Sequence, residues 1–182
     1  MNDQFLSEAV AVMKSAECVH DQLAVEDALN SMAARISRDL EDKNPIVICV
    51  MNGGLVPAGL LLTKLAFPLK VDYLHATRYR EGTSGKELIW QRSPAQPLNG
   101  QHVLIIDDIL DEGHTLAAII DYCQAQAPAS LQTAVLAKKE HERGVRPPLE
   151  YIGLKVPDKY VFGCGMDYKG YWRNLPGIYA VS

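Results

Sequence analysis

The four cysteines of this chain, at 18, 49, 123 and 164, form no CxxC pair and show no metal-ligand spacing. That argues against a disulfide framework and leaves a reducing, cytoplasmic setting as the expectation. Cys49 and Cys123 sit in apolar segments and read as core thiols. His20, His75, His102 and His141 likewise show no HxxxH or similar metal spacing. No apolar run approaches the roughly 20 residues of a membrane-spanning helix. The start, MNDQFLSEAV, lacks a basic stretch followed by an apolar block, so no signal peptide is expected. A net charge of -4 argues against a general binder of nucleic acid or membrane surfaces. Internal repeats and low-complexity linkers are also missing. What is present is 182 residues, 48% hydrophobic and 22% charged, an ordinary globular composition and most simply one domain with a substantial core.

Residues from Phe5 to about Leu40 read as helical, with Val25, Leu29, Met32, Ile36 and Leu40 forming one apolar stripe. Pro45 to Met51 is a continuous apolar run, as in a strand buried on both faces. Asn52-Gly53-Gly54 is a turn, Val56 to Ala66 a helix with Pro57 in its first turn, and Lys70 to His75 the next strand. Thr77 to Arg92 is polar and carries Gly82 and Gly85, which suits a long loop or mobile hairpin. A strand at Val103–Ile106, a helix from Thr115 to about Ala127 and a strand at Thr133–Lys138 follow. Tyr151–Leu154, Tyr160–Phe162 and Ile178–Val181 are short strands. The alternation predicts an α/β fold, a mainly parallel twisted sheet flanked by helices on both faces. Ligands of such sheets bind beyond the carboxyl ends of the strands, where Asn52-Gly53-Gly54 and Asp107-Asp108 lie.

The richest stretch is Val103 to Leu116, VLIIDDILDEGHTL. Two adjacent acids close a buried strand, which is costly unless a divalent cation or sugar hydroxyls pair with them. Gly113 permits a tight turn, and Thr115 can cap the next helix, whose exposed amides attract an anion. The plain alternative is an acidic loop with a glycine and a helix cap.

This stretch resembles the phosphoribosyl-pyrophosphate loop of the type I phosphoribosyltransferases, and the resemblance runs from about Pro45 to the C-terminus. Its nearest form is the 6-oxopurine branch, the hypoxanthine-guanine phosphoribosyltransferases, on account of Val156-Pro157-Asp158-Lys159-Tyr160-Val161 and Tyr171-Trp172-Arg173-Asn174-Leu175. The resemblance implies a single domain over 1–182, with a core at about 45–140 and a small hood from about 1–44 and 150–182. It assigns Asp107 and Asp108 to the ribose hydroxyls and Mg2+, and Asp111 to the purine N7 as general base. Asp111, Glu112, Gly113, His114 and Thr115 would bind the 5-phosphate, largely through backbone amides. Asn52, Gly53 and Arg173 would bind pyrophosphate, with a strained peptide just before the first glycine. Lys139, or Lys138 one residue earlier, would donate to the purine O6. Tyr160 would stack on the base, Val161 would offer it backbone hydrogen bonds, and Asp167 would hold Mg2+ through water. Arg78 and Tyr79 would belong to a mobile lid.

Four positions depart from the family pattern: Asn52 for a usual Lys, Arg78 for Ser, Glu112 for Thr or Ser, and His114 for Lys or Arg. Glu112 is therefore a poor direct phosphate ligand, and Arg173 carries more of the pyrophosphate charge. The implied reaction joins a purine base to phosphoribosyl pyrophosphate, with Mg2+ as cofactor, in a homodimer or homotetramer. A xanthine-preferring enzyme and a non-catalytic nucleotide-sensing regulator on the same fold are the rivals.

Overall fold

The apolar runs become neighbouring strands of one sheet. The computed structural model describes residues 2–78 and 88–182. Its elements are α1 (Asn2–Ser15), β1 (Glu17–His20), α2 (Gln22–Leu40), β2 (Ile46–Met51), α3 (Leu55–Leu62), β3 (Lys70–Arg78) and β4 (Leu88–Arg92). They continue with β5 (His102–Leu110), α4 (His114–Gln124), β6 (Ser130–Lys139), β7 (Tyr151–Val156), β8 (Val161–Phe162) and β9 (Ile178–Ala180).

The main sheet has the order β4-β3-β2-β5-β6-β7, with β4 antiparallel to β3 and the other pairings parallel. Its central strands serve two cores by simple alternation. Val47, Cys49, Leu104 and Ile106 pack against α2 and α3. Ile46, Ile48, Val50, Val103 and Ile105 pack against α4. Burial on both faces explains why these segments are apolar throughout, each side chain contributing about 1.5–3 kcal/mol. The chain leaves β2 toward β3 and leaves β5 toward β6, so the strand order reverses between β2 and β5. A crevice opens at the carboxyl ends of those two strands.

A second, antiparallel sheet, β1-β9-β8, joins the two ends of the chain into the expected small hood. The Trp172 indole donates to the Ala9 carbonyl at 2.8 Å, and Lys169 pairs with Glu8 at 2.6 Å, which fastens α1 to the same region.

Two of these expectations are corrected. The helical stretch from Phe5 to Leu40 is two helices parted by β1, whose pairing with β9 overrides local propensity. Asp21 starts the second helix by accepting from the Ala24 amide at 2.9 Å. The strand expected over Val103–Ile106 runs on to Leu110, because β6 offers partners as far as Leu110↔Lys138. The acid pair therefore stands in the sheet and not in a loop. Of the two forms expected for the polar stretch after Thr77, the pairing is that of a hairpin: β3 extends to Arg78 and pairs antiparallel with β4. Tyr79 lies outside the described residues, as does the side chain of Arg78.

Among the described residues, no helix is long and apolar enough to cross a membrane. Cys49, Cys123 and Cys164 are buried and unpaired, and Cys18 is exposed. Burial pushes the thiols of Cys49, Cys123 and Cys164 up to about 12, 11 and 11. A thiol-disulfide reagent at neutral pH is therefore expected to titrate Cys18 alone in the native protein and the other three only after denaturation.

Candidate active site

Two loops meet at the crevice. The first, after β2, carries the glycine pair, and the Met51–Asn52 peptide bond just ahead of it is cis. Gly53 lies directly against the end of β5: a Cβ there would overlap the Asp108 carboxylate. The Asp108 amide donates to Asp107 Oδ1 at 2.9 Å and the Ile109 amide to Asp108 Oδ1 at 2.7 Å. Burial, followed by the neighbouring carboxylate of Asp108, pushes Asp107 well above the ordinary carboxylate range. Burial raises Asp108 as well, and the hydrogen bond with Asp107, then the Ile109 amide and Arg173, pull it back in part. Two partly dehydrated carboxylates with too little positive charge around them form a donor set that suits a hard divalent cation.

The second loop, Asp111 to Gly113, leads into α4 beside a cavity of about 300 Å³ that Asp107, Glu112, Gly113 and Thr115 help to line. Gly113, at φ +76°, is itself the residue that precedes the helix, with no side-chain cap. The expected capping by Thr115 is thus corrected: Thr115 lies inside the first turn, and the leading amides stay open toward the cavity. The chain after β6 clasps this loop. The Val145 amide donates to the Glu112 carbonyl at 2.9 Å. A Cβ on Gly113 would overlap the Val145 carbonyl, and a Cβ on Gly144, at φ +81°, would overlap the Glu112 carbonyl. The Glu112 side chain is exposed, and His114 opens the helix.

A second cavity of about 210 Å³ brings together Asp108, Asp111, Lys139, Tyr160, Val161 and Asp167. Lys138 does not line it; it lines a neighbouring cavity with Glu140 and Lys155, one that Lys139 also reaches. Lys139 Nζ reaches Asp111 Oδ2 at 2.7 Å, the two side chains being 12% and 43% exposed. Tyr160 is 52% exposed and is met edge-on by Tyr168, with ring centroids 5.4 Å apart. Its open face is available for stacking. Val161 is buried in the hood sheet opposite Ala180. Asp167 accepts from the Gly170 amide at 2.7 Å and pairs with Arg173 at 2.5 Å, while Arg173 also donates to the Gly165 carbonyl at 2.7 Å. Both groups are held in place by the turn that carries them.

Sequence reasoning passed over His141. Its Nε2 lies 2.7 Å from Asp111 Oδ1, and its side chain is only 5% exposed. The available clue was its place two residues after Lys139, just beyond the end of β6. Burial alone would raise Asp111, but Lys139 and then His141 outweigh it and hold the carboxyl below its usual value. Asp111, His141 and Asp158 lie close enough together to suggest a metal site. The carboxylates there are already neutralised, Asp111 by Lys139 and Asp158 by the forked contact of Arg143 at 2.5 and 2.7 Å. The acid pair on β5 is the better-suited cation site.

The sequence matches the family described as phosphoribosyl transferase domain over residues 15–169. It is 32% identical to a hypoxanthine-guanine-xanthine phosphoribosyltransferase of Tritrichomonas foetus, an alignment covering 88% of each chain. It is 30% identical to a hypoxanthine-guanine phosphoribosyltransferase of Streptococcus pneumoniae, over 87% of this chain and 88% of that one. Among solved structures, a Trypanosoma cruzi hypoxanthine phosphoribosyltransferase variant captured with its substrates superposes with a TM-score of 0.86 at 28% identity, covering 93% of this chain and 97% of that one.

Proposed function

This chain belongs to the phosphoribosyltransferase family, and from that premise we propose that it is a purine-salvage enzyme acting on hypoxanthine and guanine. It transfers the 5-phosphoribosyl group of phosphoribosyl pyrophosphate to N9 of the base, giving IMP or GMP. The bond from the anomeric carbon to pyrophosphate breaks, a bond to N9 forms, and the base gives up a proton. The observation that carries this reading is the cavity in which Asp111, Lys139 and Tyr160 stand beside the Asp107–Asp108 pair.

Asp107 and Asp108 orient the ribose hydroxyls and, with Asp167, would hold Mg2+, which when bound supplies positive charge against the leaving pyrophosphate. Arg173 adds a fixed positive charge at the same place, with Asn52 and Gly53 supplying the other side of the pyrophosphate site. The open amides from Asp111 to Thr115 receive the 5-phosphate. Tyr160 stacks on the purine, Val161 meets its edge through the backbone, and Asp111 takes the N7 proton as N9 attacks. Lys139 explains the choice of base. The O6 atom of hypoxanthine or guanine accepts a hydrogen bond, whereas the 6-amino group of adenine would set donor against donor. Arg78 and Tyr79 belong to the lid that excludes water from the activated donor. The unpaired thiols suit a cytoplasmic enzyme, and a homodimer or homotetramer is the assembly that goes with this reading.

A base panel tests it. With phosphoribosyl pyrophosphate and Mg2+, the purified protein is expected to convert hypoxanthine and guanine, to leave adenine untouched, and to stop when Mg2+ is chelated. Conversion of adenine alone, or of no base, would overturn the reading. Xanthine in the same panel separates the xanthine-preferring alternative.

A further inference from the structure

We propose that His141 is a positioning residue for Asp111: it caps one carboxylate oxygen through an Nε2–H fixed by its neighbours and leaves the other oxygen to face the purine. The inference rests on the phosphoribosyl-transfer reading above.

The surroundings of the ring decide its tautomer. Two donors converge on Nδ1, the Arg143 amide and Arg146 Nη2, each at 3.2 Å. A nitrogen that accepts from both carries no proton, so the ring proton is on Nε2, where the carboxylate of Asp111 receives it. Arg146 also donates to the His141 carbonyl and, through Nη1, to the carbonyl of Val145 at 3.2 Å. The segment is pinned at both ends. The Glu140 amide donates to the Val156 carbonyl at 3.0 Å, and Glu150 accepts from the Thr133 amide at 2.7 Å.

The other charged groups facing this cluster are engaged elsewhere. Asp158 is forked onto Arg143, Lys155 pairs with Glu140 at 3.3 Å, and Glu112 points its side chain to solvent. Arg146 Nη1 donates to the Asp111 backbone carbonyl at 3.4 Å, and among the described residues only Lys139 shares the Asp111 carboxylate with His141; the two differ in kind. The lysine ends a flexible four-carbon stem and has an alternative acceptor in the purine O6. The imidazole is almost fully buried and clamped on both nitrogens. As a 6-oxopurine enters, Lys139 passes from Asp111 Oδ2 to O6, and Oδ2 becomes free for the N7 proton. His141 stays on Oδ1 and keeps the carboxylate from turning. Orienting partners of this sort change rates far more than binding.

The pH dependence has a definite sign. Asp111 works as a base when ionised, and its two donors keep it ionised to lower pH. Losing the Nε2–H lets burial push the carboxyl up, so activity fails at a higher pH on acidification. His141→Ala is expected to lower kcat by about 10–100-fold with little change in KM for hypoxanthine, and to move the acidic limb of kcat/KM upward. His141→Gln, whose amide N–H reaches the place of Nε2, should recover most of both effects. A variant with wild-type kcat and limb, or a glutamine variant no better than alanine, would overturn the proposal. A readout free of turnover is the long-range 1H–15N spectrum of histidine-labelled protein, with His141 assigned by its loss in His141→Gln. An Nδ1–H or doubly protonated ring at neutral pH would overturn the proposal even if His141→Ala failed to fold. Absence of any 6-oxopurine turnover in the unmodified enzyme would instead remove the functional reading, and the tautomer would then decide this inference alone.

Discussion

Replacing Asp111 with asparagine is expected to lower kcat for hypoxanthine and guanine by about 10²–10⁴-fold, the usual share of a positioned general base. The amide keeps the size of the carboxylate and can still accept from His141 through its oxygen. It presents an NH2 group to Lys139, however, donor against donor, where the wild type has a contact of 2.7 Å. The lysine is thus released, and on the proposed role of Asp111 the proton acceptor for N7 is lost. The two losses separate in steady-state kinetics. KM for the base reports the lysine's contact with O6, which the variant retains, and kcat reports the missing base. Because the Asp111 side chain is 43% exposed, folding stability should change little, so thermal denaturation is the control. Near-wild-type turnover would remove Asp111 from its role.

The second large effect is expected at Gly53→Ala. The added methyl would overlap the Asp108 carboxylate, which has little room to retreat, since its Oδ1 is held by the Ile109 amide at 2.7 Å. The far side of the glycine is closed too, because its carbonyl abuts Gly165 where a Cβ would collide. Either the carboxylate or the whole loop after β2 must shift by about an ångström, and such misplacements cost on the order of 10²-fold in rate. The loss should fall on kcat/KM for phosphoribosyl pyrophosphate, measured at saturating hypoxanthine. Gly59→Ala is the matched control: it lies in α3 with nothing within 4 Å of its added Cβ. It should keep full activity and gain up to about 1 kcal/mol of helix stability. Equal activity of the two variants would refute a functional role for the close approach of Gly53 to Asp108.

The sheet was legible because its strands state their environment locally. Ile46–Val50 and Val103–Ile106 admit no polar side chain, and only a strand covered on both faces has that composition. Contacts between distant segments were not legible. Nothing in Glu17–His20 announces a strand, because its partner Ile178–Ala180 lies at the other end of the chain. The acid pair looked like a loop, because the extension of β5 depends on how far β6 runs beside it. The residues proposed to surround the base were read from the family pattern, which left Lys138 and Lys139 open. The register of β6 turns Lys139 toward Asp111 and Lys138 toward Lys155. His141 escaped for the same reason as β1: its significance lies in a carboxylate thirty residues earlier.

The clasp between Gly113 and Gly144 reaches beyond the geometry of one loop. Each glycine leaves room for a carbonyl of the opposite segment, and neither tolerates a side chain while the other segment stays in place. The loop from Asp111 to Gly113 and the turn that carries His141 are therefore heritable as a unit. A graft that imports one of them alone from a relative brings its own backbone path into collision with the resident partner. Any lineage that reshapes the turn after β6 must redraw the loop ahead of α4 in the same step.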